Sequence, residues 1–79
     1  MGKQHTYKGV EVTAETEMYG VRYIPLVKLR KKNGAISAML HPPCGHGLSS
    51  RAEAERVAMR YGFDAVDGNV KNFDPARLD

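Results

Sequence analysis

Hydrophobic and polar residues alternate strictly from Val10 to Glu17. Val10, Val12 and Ala14 fall on one side, and Glu11, Thr13, Glu15 and Glu17 on the other. A period of two over this length is the signature of a half-buried β-strand. Gly20 breaks the pattern and marks a connection around residues 18–21. The clearest local signal follows, between Arg22 and Leu40. Asn33-Gly34 separates two apolar-containing runs, and this dipeptide favours the positive φ angles of a two-residue type I′ turn. With that turn Lys32 pairs with Ala35, Lys31 with Ile36, Leu29 with Ala38 and Val27 with Leu40. Apart from Leu26 and Met39, the strongly apolar positions then share one face, so turn chemistry and burial demand the same register. Pro25 fits near the start of the strand if its missing donor faces an edge or a bulge.

Beyond Leu48 the period changes. Ser50 and Glu53 have capping-box spacing, and Ala54, Val57, Ala58, Tyr61 and Ala65 form one apolar stripe at intervals of three and four. Gly68 is placed to stop the helix. Gly62 lowers helix propensity by roughly 1 kcal/mol relative to alanine, but the stripe persists beyond it, so the longer helix is preferred. The expected fold class is α+β: a three-stranded antiparallel β-β-β meander packed against one C-terminal helix. Residues 1–79 are expected to make one small domain, with 1–6 and 70–79 as flexible tails.

These elements carry a resemblance. Tyr23-Ile24-Pro25-Leu26-Val27, Ser50-Arg51-Ala52-Glu53-Ala54 and Val66-Asp67-Gly68 resemble the strand, helix start and helix end of a group of small uncharacterised bacterial proteins. The likeness covers about residues 7–68 and implies a fold and a cytosolic bacterial location, but no activity. At fold level, β-β-β-α order is also similar to small DNA-binding domains that lay a three-stranded sheet in the major groove. That analogy assigns no function by itself.

Composition narrows the picture further. A chain of 79 residues has little room for both a core and a deep substrate pocket. A lone cysteine excludes an intramolecular disulfide and fits a cytoplasmic, reducing location. No apolar run approaches membrane-spanning length. No phosphate-binding loop, dinucleotide fingerprint or assignable acid–base pair is present, so a non-enzymatic protein without a cofactor is expected.

The net charge of +3 permits an acidic partner. Lys28, Arg30 and Lys32 alternate along one strand and, with Arg22, are the candidate residues for contacting nucleic-acid phosphate. Against this, Glu11 and Glu15 are expected on the same outer face if the first two strands pair, and that face offers no aromatic stacking platform. Ile24, Leu26 and Met39 are the alternative candidates, as an apolar patch for a homodimer or a protein partner, with Met59 and Phe63 also off the main helix stripe. Reactive side chains are concentrated in His41-Pro42-Pro43-Cys44-Gly45-His46-Gly47. His41, Cys44 and His46 are zinc-ligand types, but structural zinc favours two spaced ligand pairs and only one cluster exists. Cys44 has no evident orienting partner for nucleophilic catalysis. A rigid connector, with the cysteine as a small apolar residue, is the preferred reading of this segment.

Overall fold

A computed structural model describes residues 3–32, 34, 37–43, 47–71, 73 and 74. Four strands, β1 (Lys3–Tyr7), β2 (Val10–Tyr19), β3 (Arg22–Lys31) and β4 (Ser37–Leu40), form one antiparallel meander in chain order. Helix α1 (Arg51–Val66) crosses one face of it. The fold class is α+β as expected, with one strand more. Residues 3–6, assigned from sequence to a tail, belong to β1.

Turn chemistry sets the register of the first two hairpins. Lys8 and Gly9 have φ angles of 51° and 79°, the conformation of a type I′ turn, and Tyr7 pairs with Val10 across them. Gly20 has φ of 64° and leads the two-residue turn between Tyr19 and Arg22. In the third hairpin Val27 pairs with Leu40, Leu29 with Ala38 and Arg30 with Ser37, the register expected from the sequence. The Gly34 N–H donates to Lys31 O at 2.7 Å and the Lys32 N–H to Gly9 O at 2.9 Å, so Lys32 faces away from β4 and does not close the expected two-residue turn. The expected partners Ala35 and Ile36 and the conformation at Asn33 lie outside the described residues.

Pro25 is placed where a missing donor does no harm. Alternate β3 residues direct their main-chain groups toward β4, but β4 ends opposite Val27. The next attachment to this side of β3 among the described residues is Leu48, which exchanges two hydrogen bonds with Tyr23 at 2.8 and 2.9 Å. Pro25 occupies the interval between these two attachments, where no strand partner among the described residues needs its N–H.

The core lies between α1 and the inward residues of β2 and β3. Val12, Ala14, Val27, Leu29, Ala58 and Ala65 are fully buried. The helix packs through small residues: its buried positions are Ala54, Ala58, Gly62 and Ala65, with Val57 and Tyr61 half-buried beside them. Gly62 is the point of closest approach. A Cβ there would lie 2.5 Å from Val12 Cγ1 and 2.8 Å from Val27 Cγ2. The residue that weakens the helix locally is therefore what lets it sit on the sheet, and α1 continues through it.

The helix ends are specified by short-range bonds. Ser50 Oγ accepts from the Glu53 N–H at 3.4 Å. At the other end the Asn69 N–H donates to Asp64 O and the Gly68 N–H to Ala65 O, with Gly68 at φ of 81°, which is a Schellman motif. Beyond it Val70 and Phe73, within the expected C-terminal tail, pack against the core.

A cluster at the end of α1 holds the first strand. Tyr7 packs on Phe63 with ring centroids 4.6 Å apart, and His5 meets the same ring edge-on at 5.6 Å. The Tyr7 hydroxyl donates to Asp67 Oδ2 at 3.0 Å, and the Lys8 ammonium donates to Asp67 Oδ1. The Lys8 hydrogen bond and the Tyr7 hydroxyl hold the Asp67 carboxyl below the usual carboxylate range. The same bond to Asp67, reinforced by its charge, raises the Lys8 ammonium above its ordinary value.

Candidate functional site

The β2–β3 register decides the charge of the outer sheet face. It sets Glu11 directly opposite Arg30 and Glu15 one step diagonally from Lys28. Both acids are used: Arg30 Nη2 lies 3.1 Å from Glu11 Oε1, and Lys28 Nζ lies 3.4 Å from Glu15 Oε1. Exposed pairs of this kind contribute at most about 1 kcal/mol to stability, but they remove two of the four proposed phosphate contacts from the field a polyanion would feel. Lys32 is exposed just past one end of β3 and Arg22 at the other, ten residues away, so the four do not act as one patch. Glu11, Thr13, Lys28, Leu29, Arg30 and Ser37 line a shallow pocket of about 220 Å³. It is smaller than the roughly 300–1,000 Å³ of typical small-molecule sites.

The apolar candidates on this face separate in a different way. Met39 is 51% exposed, whereas Leu26 is only 5% exposed and Ile24 is half-buried. Leu26 is therefore not available to a partner, and the expectation of an open Ile24–Leu26–Met39 patch is corrected. The segment after β4 closes on the neighbouring part of β3. Gly47, at φ of 93°, lies so close to β3 that a Cβ would sit 2.9 Å from both Arg22 Cβ and Ile24 Cδ1. Leu48 then bonds to the main chain of Tyr23. Gly47 and Leu48 thus lie against β3 at residues 22–24, and Pro42 is buried. His41 is exposed, while Cys44 and His46 lie outside the described residues. Among the described residues no group of three or more histidine, cysteine, aspartate or glutamate side chains is placed to hold a metal ion.

Exposed apolar surface is concentrated elsewhere, at the tip of the β2–β3 hairpin. Met18, Tyr19 and Val21 are 57%, 78% and 83% exposed. Tyr19 and Arg22 are cross-strand partners and project from the outer face; Met18 and Tyr23 are partners on the helix side. The Arg51 guanidinium lies over the Tyr23 ring, 5.8 Å from its centroid. One end of the molecule therefore presents an exposed tyrosine beside one arginine and a second tyrosine beneath another. Of the four candidate phosphate contacts, Lys28, Arg30, Lys32 and Arg22, only Arg22 belongs to this group. The missed signal is an apolar turn: Met18-Tyr19-Gly20-Val21 puts large side chains where hairpin tips usually carry polar ones.

Comparison with protein-family models, with curated proteins and with solved structures yields no match for this chain. No helix among the described residues is long and apolar enough to cross a membrane.

Proposed function

We propose that this is a non-enzymatic, cytoplasmic binding module of bacterial type that contacts nucleic acid as a weak or accessory binder through the open end of its β2–β3 hairpin. The observation carrying this reading is the exposed ring of Tyr19 directly across from Arg22. Base stacking on an aromatic side chain contributes roughly 1–3 kcal/mol per base and tolerates any sequence, while neighbouring arginines contact phosphate or stack in turn. Arg22 and Arg51 stand at the same end, whereas Lys28 and Arg30 are engaged by glutamates. The favoured ligand is single-stranded, because only unstacked bases offer a face to a protruding tyrosine.

Fluorescence anisotropy with labelled single-stranded and duplex oligonucleotides at two salt concentrations tests this. Single strands are expected to bind in preference, more weakly as salt rises. Tyr19→Ala and Arg22→Glu are expected to abolish binding while Lys28→Gln leaves it nearly intact. The absence of salt-sensitive binding at low ionic strength rejects the proposal. A second reading, a protein-interaction module, is favoured by Met18 and Val21, since methionine, tyrosine and arginine are enriched in interface cores. It predicts binding that Met18→Ala weakens and salt does not.

A further inference from the structure

We propose that two copies of this chain associate through β1, forming a continuous eight-stranded sheet about a two-fold axis at His5. β1 is an edge of the sheet, and no described residue pairs with its outer side. The type I′ turn makes Tyr7–Val10 a hydrogen-bonded pair, so Lys3, His5 and Tyr7 bond inward to β2. The N–H and C=O groups of Gln4 and Thr6 consequently point outward.

That arrangement is self-complementary. An antiparallel second copy centred on His5 sets Gln4 against Thr6 of the second copy, and Thr6 against its Gln4. Both are hydrogen-bonded pairs, so four main-chain bonds form and every outward group of Gln4 and Thr6 is used. No two lysine, arginine or carboxylate side chains of β1 are set opposite each other in this register, and the two His5 side chains meet at the axis. Lys3 instead lies beside Tyr7 of the second copy, whose hydroxyl is bonded to the Asp67 carboxylate. That carboxylate is already paired with Lys8, so main-chain bonding and not net charge sets this contact.

The edge carries Lys3 but neither of the backbone devices that prevent such pairing. Its five residues pair with β2 in unbroken register from Lys3–Ala14 to Tyr7–Val10, without a bulge or proline. The opposite edge, β4, is only four residues long. The two-fold arrangement closes on itself, whereas β1-to-β4 pairing would continue without limit. Anchoring by Phe63 and Asp67 holds β1 extended and ready for a second copy.

Sedimentation velocity from micromolar to millimolar concentration tests the proposal on the wild-type chain and on Thr6→Pro and Gln4→Pro. Proline at either position removes an outward N–H and leaves the bonds to β2 intact. The wild type is expected to shift from monomer to dimer and no further. Each variant loses two of the four bonds across the axis and is expected to raise the dimer Kd by roughly tenfold or more, with an unchanged far-ultraviolet spectrum. Concentration-dependent protection of the Gln4 and Thr6 amides from exchange is expected in parallel. A wild type monomeric throughout, a dimer that survives both substitutions, or growth to larger oligomers overturns it.

Discussion

Replacing Gly62 by alanine tests the helix–sheet contact on which the fold depends. In an exposed helix interior the change stabilises by about 1 kcal/mol, because alanine restricts the unfolded chain and favours helix. Here the new methyl group would meet Val12 Cγ1 at 2.5 Å, Val27 Cγ2 at 2.8 Å and Leu29 Cδ2 at 3.5 Å. Carbon atoms in contact settle at about 3.5–4.0 Å, so α1 must retreat by roughly 1 Å or the valines must leave their rotamers. All three neighbours are fully buried, and β-branched valines have little χ1 freedom. Overpacking of this kind costs about 1–3 kcal/mol, and two sub-3 Å contacts put it in the upper part of that range. The propensity gain offsets part of it, leaving a net destabilisation of about 1–2 kcal/mol. Urea unfolding followed by circular dichroism should show a lower midpoint at unchanged slope. Val12→Ala in the Gly62→Ala background should cost at least about 1 kcal/mol less than in the wild type, because the truncated side chain makes room for the methyl group. A more stable Gly62→Ala protein would refute the close approach.

Three further outcomes follow from the same geometry. Leu26→Ala should destabilise by about 2 kcal/mol as a buried truncation, while Met39→Ala on the same face should stay within about 0.5 kcal/mol of wild type in urea titrations. Gly47→Ala, which brings a methyl group against Arg22 and Ile24 at a positive φ, should detach the Leu48–Tyr23 bridge, seen as faster exchange of both amides. The Lys8–Asp67 clasp should contribute stability between the carboxylate and lysine ranges and lose it at both ends of the pH scale. The lowered Asp67 contributes stability that is present above the ordinary carboxylate range and lost as pH falls through its folded value. The raised Lys8 contributes stability present below the ordinary lysine value and lost as pH rises through its folded value. Asp67→Asn should flatten both limbs, measured as thermal midpoint against pH.

The parts of this fold written in local chemistry were legible. The β2 alternation, the sum rule of the third hairpin, the Ser50 cap and the Gly68 stop each involve residues close in sequence, and each stands as expected. β1 was not legible because its residues are polar on both faces, and its turn uses Lys8, a residue type that seldom takes a positive φ. Leu26 was misassigned for a tertiary reason: alternation places it on the outer face correctly, but nothing local announces that it is buried there. Gly62 carried a signal of the wrong sign, since propensity registers the missing side chain as a defect while packing requires it. The same limit applied to the site. A positive stripe is visible in sequence, but its neutralisation depends on which acids the next strand sets opposite.

The claim that the hairpin end is the contact surface is most directly measured by amide chemical shifts during titration with a short single-stranded oligonucleotide. The account predicts shifts concentrated at residues 18–23 and Arg51, diminishing with added salt. Shifts centred on Lys28, Arg30 and Ser37, or none at low ionic strength, would contradict it.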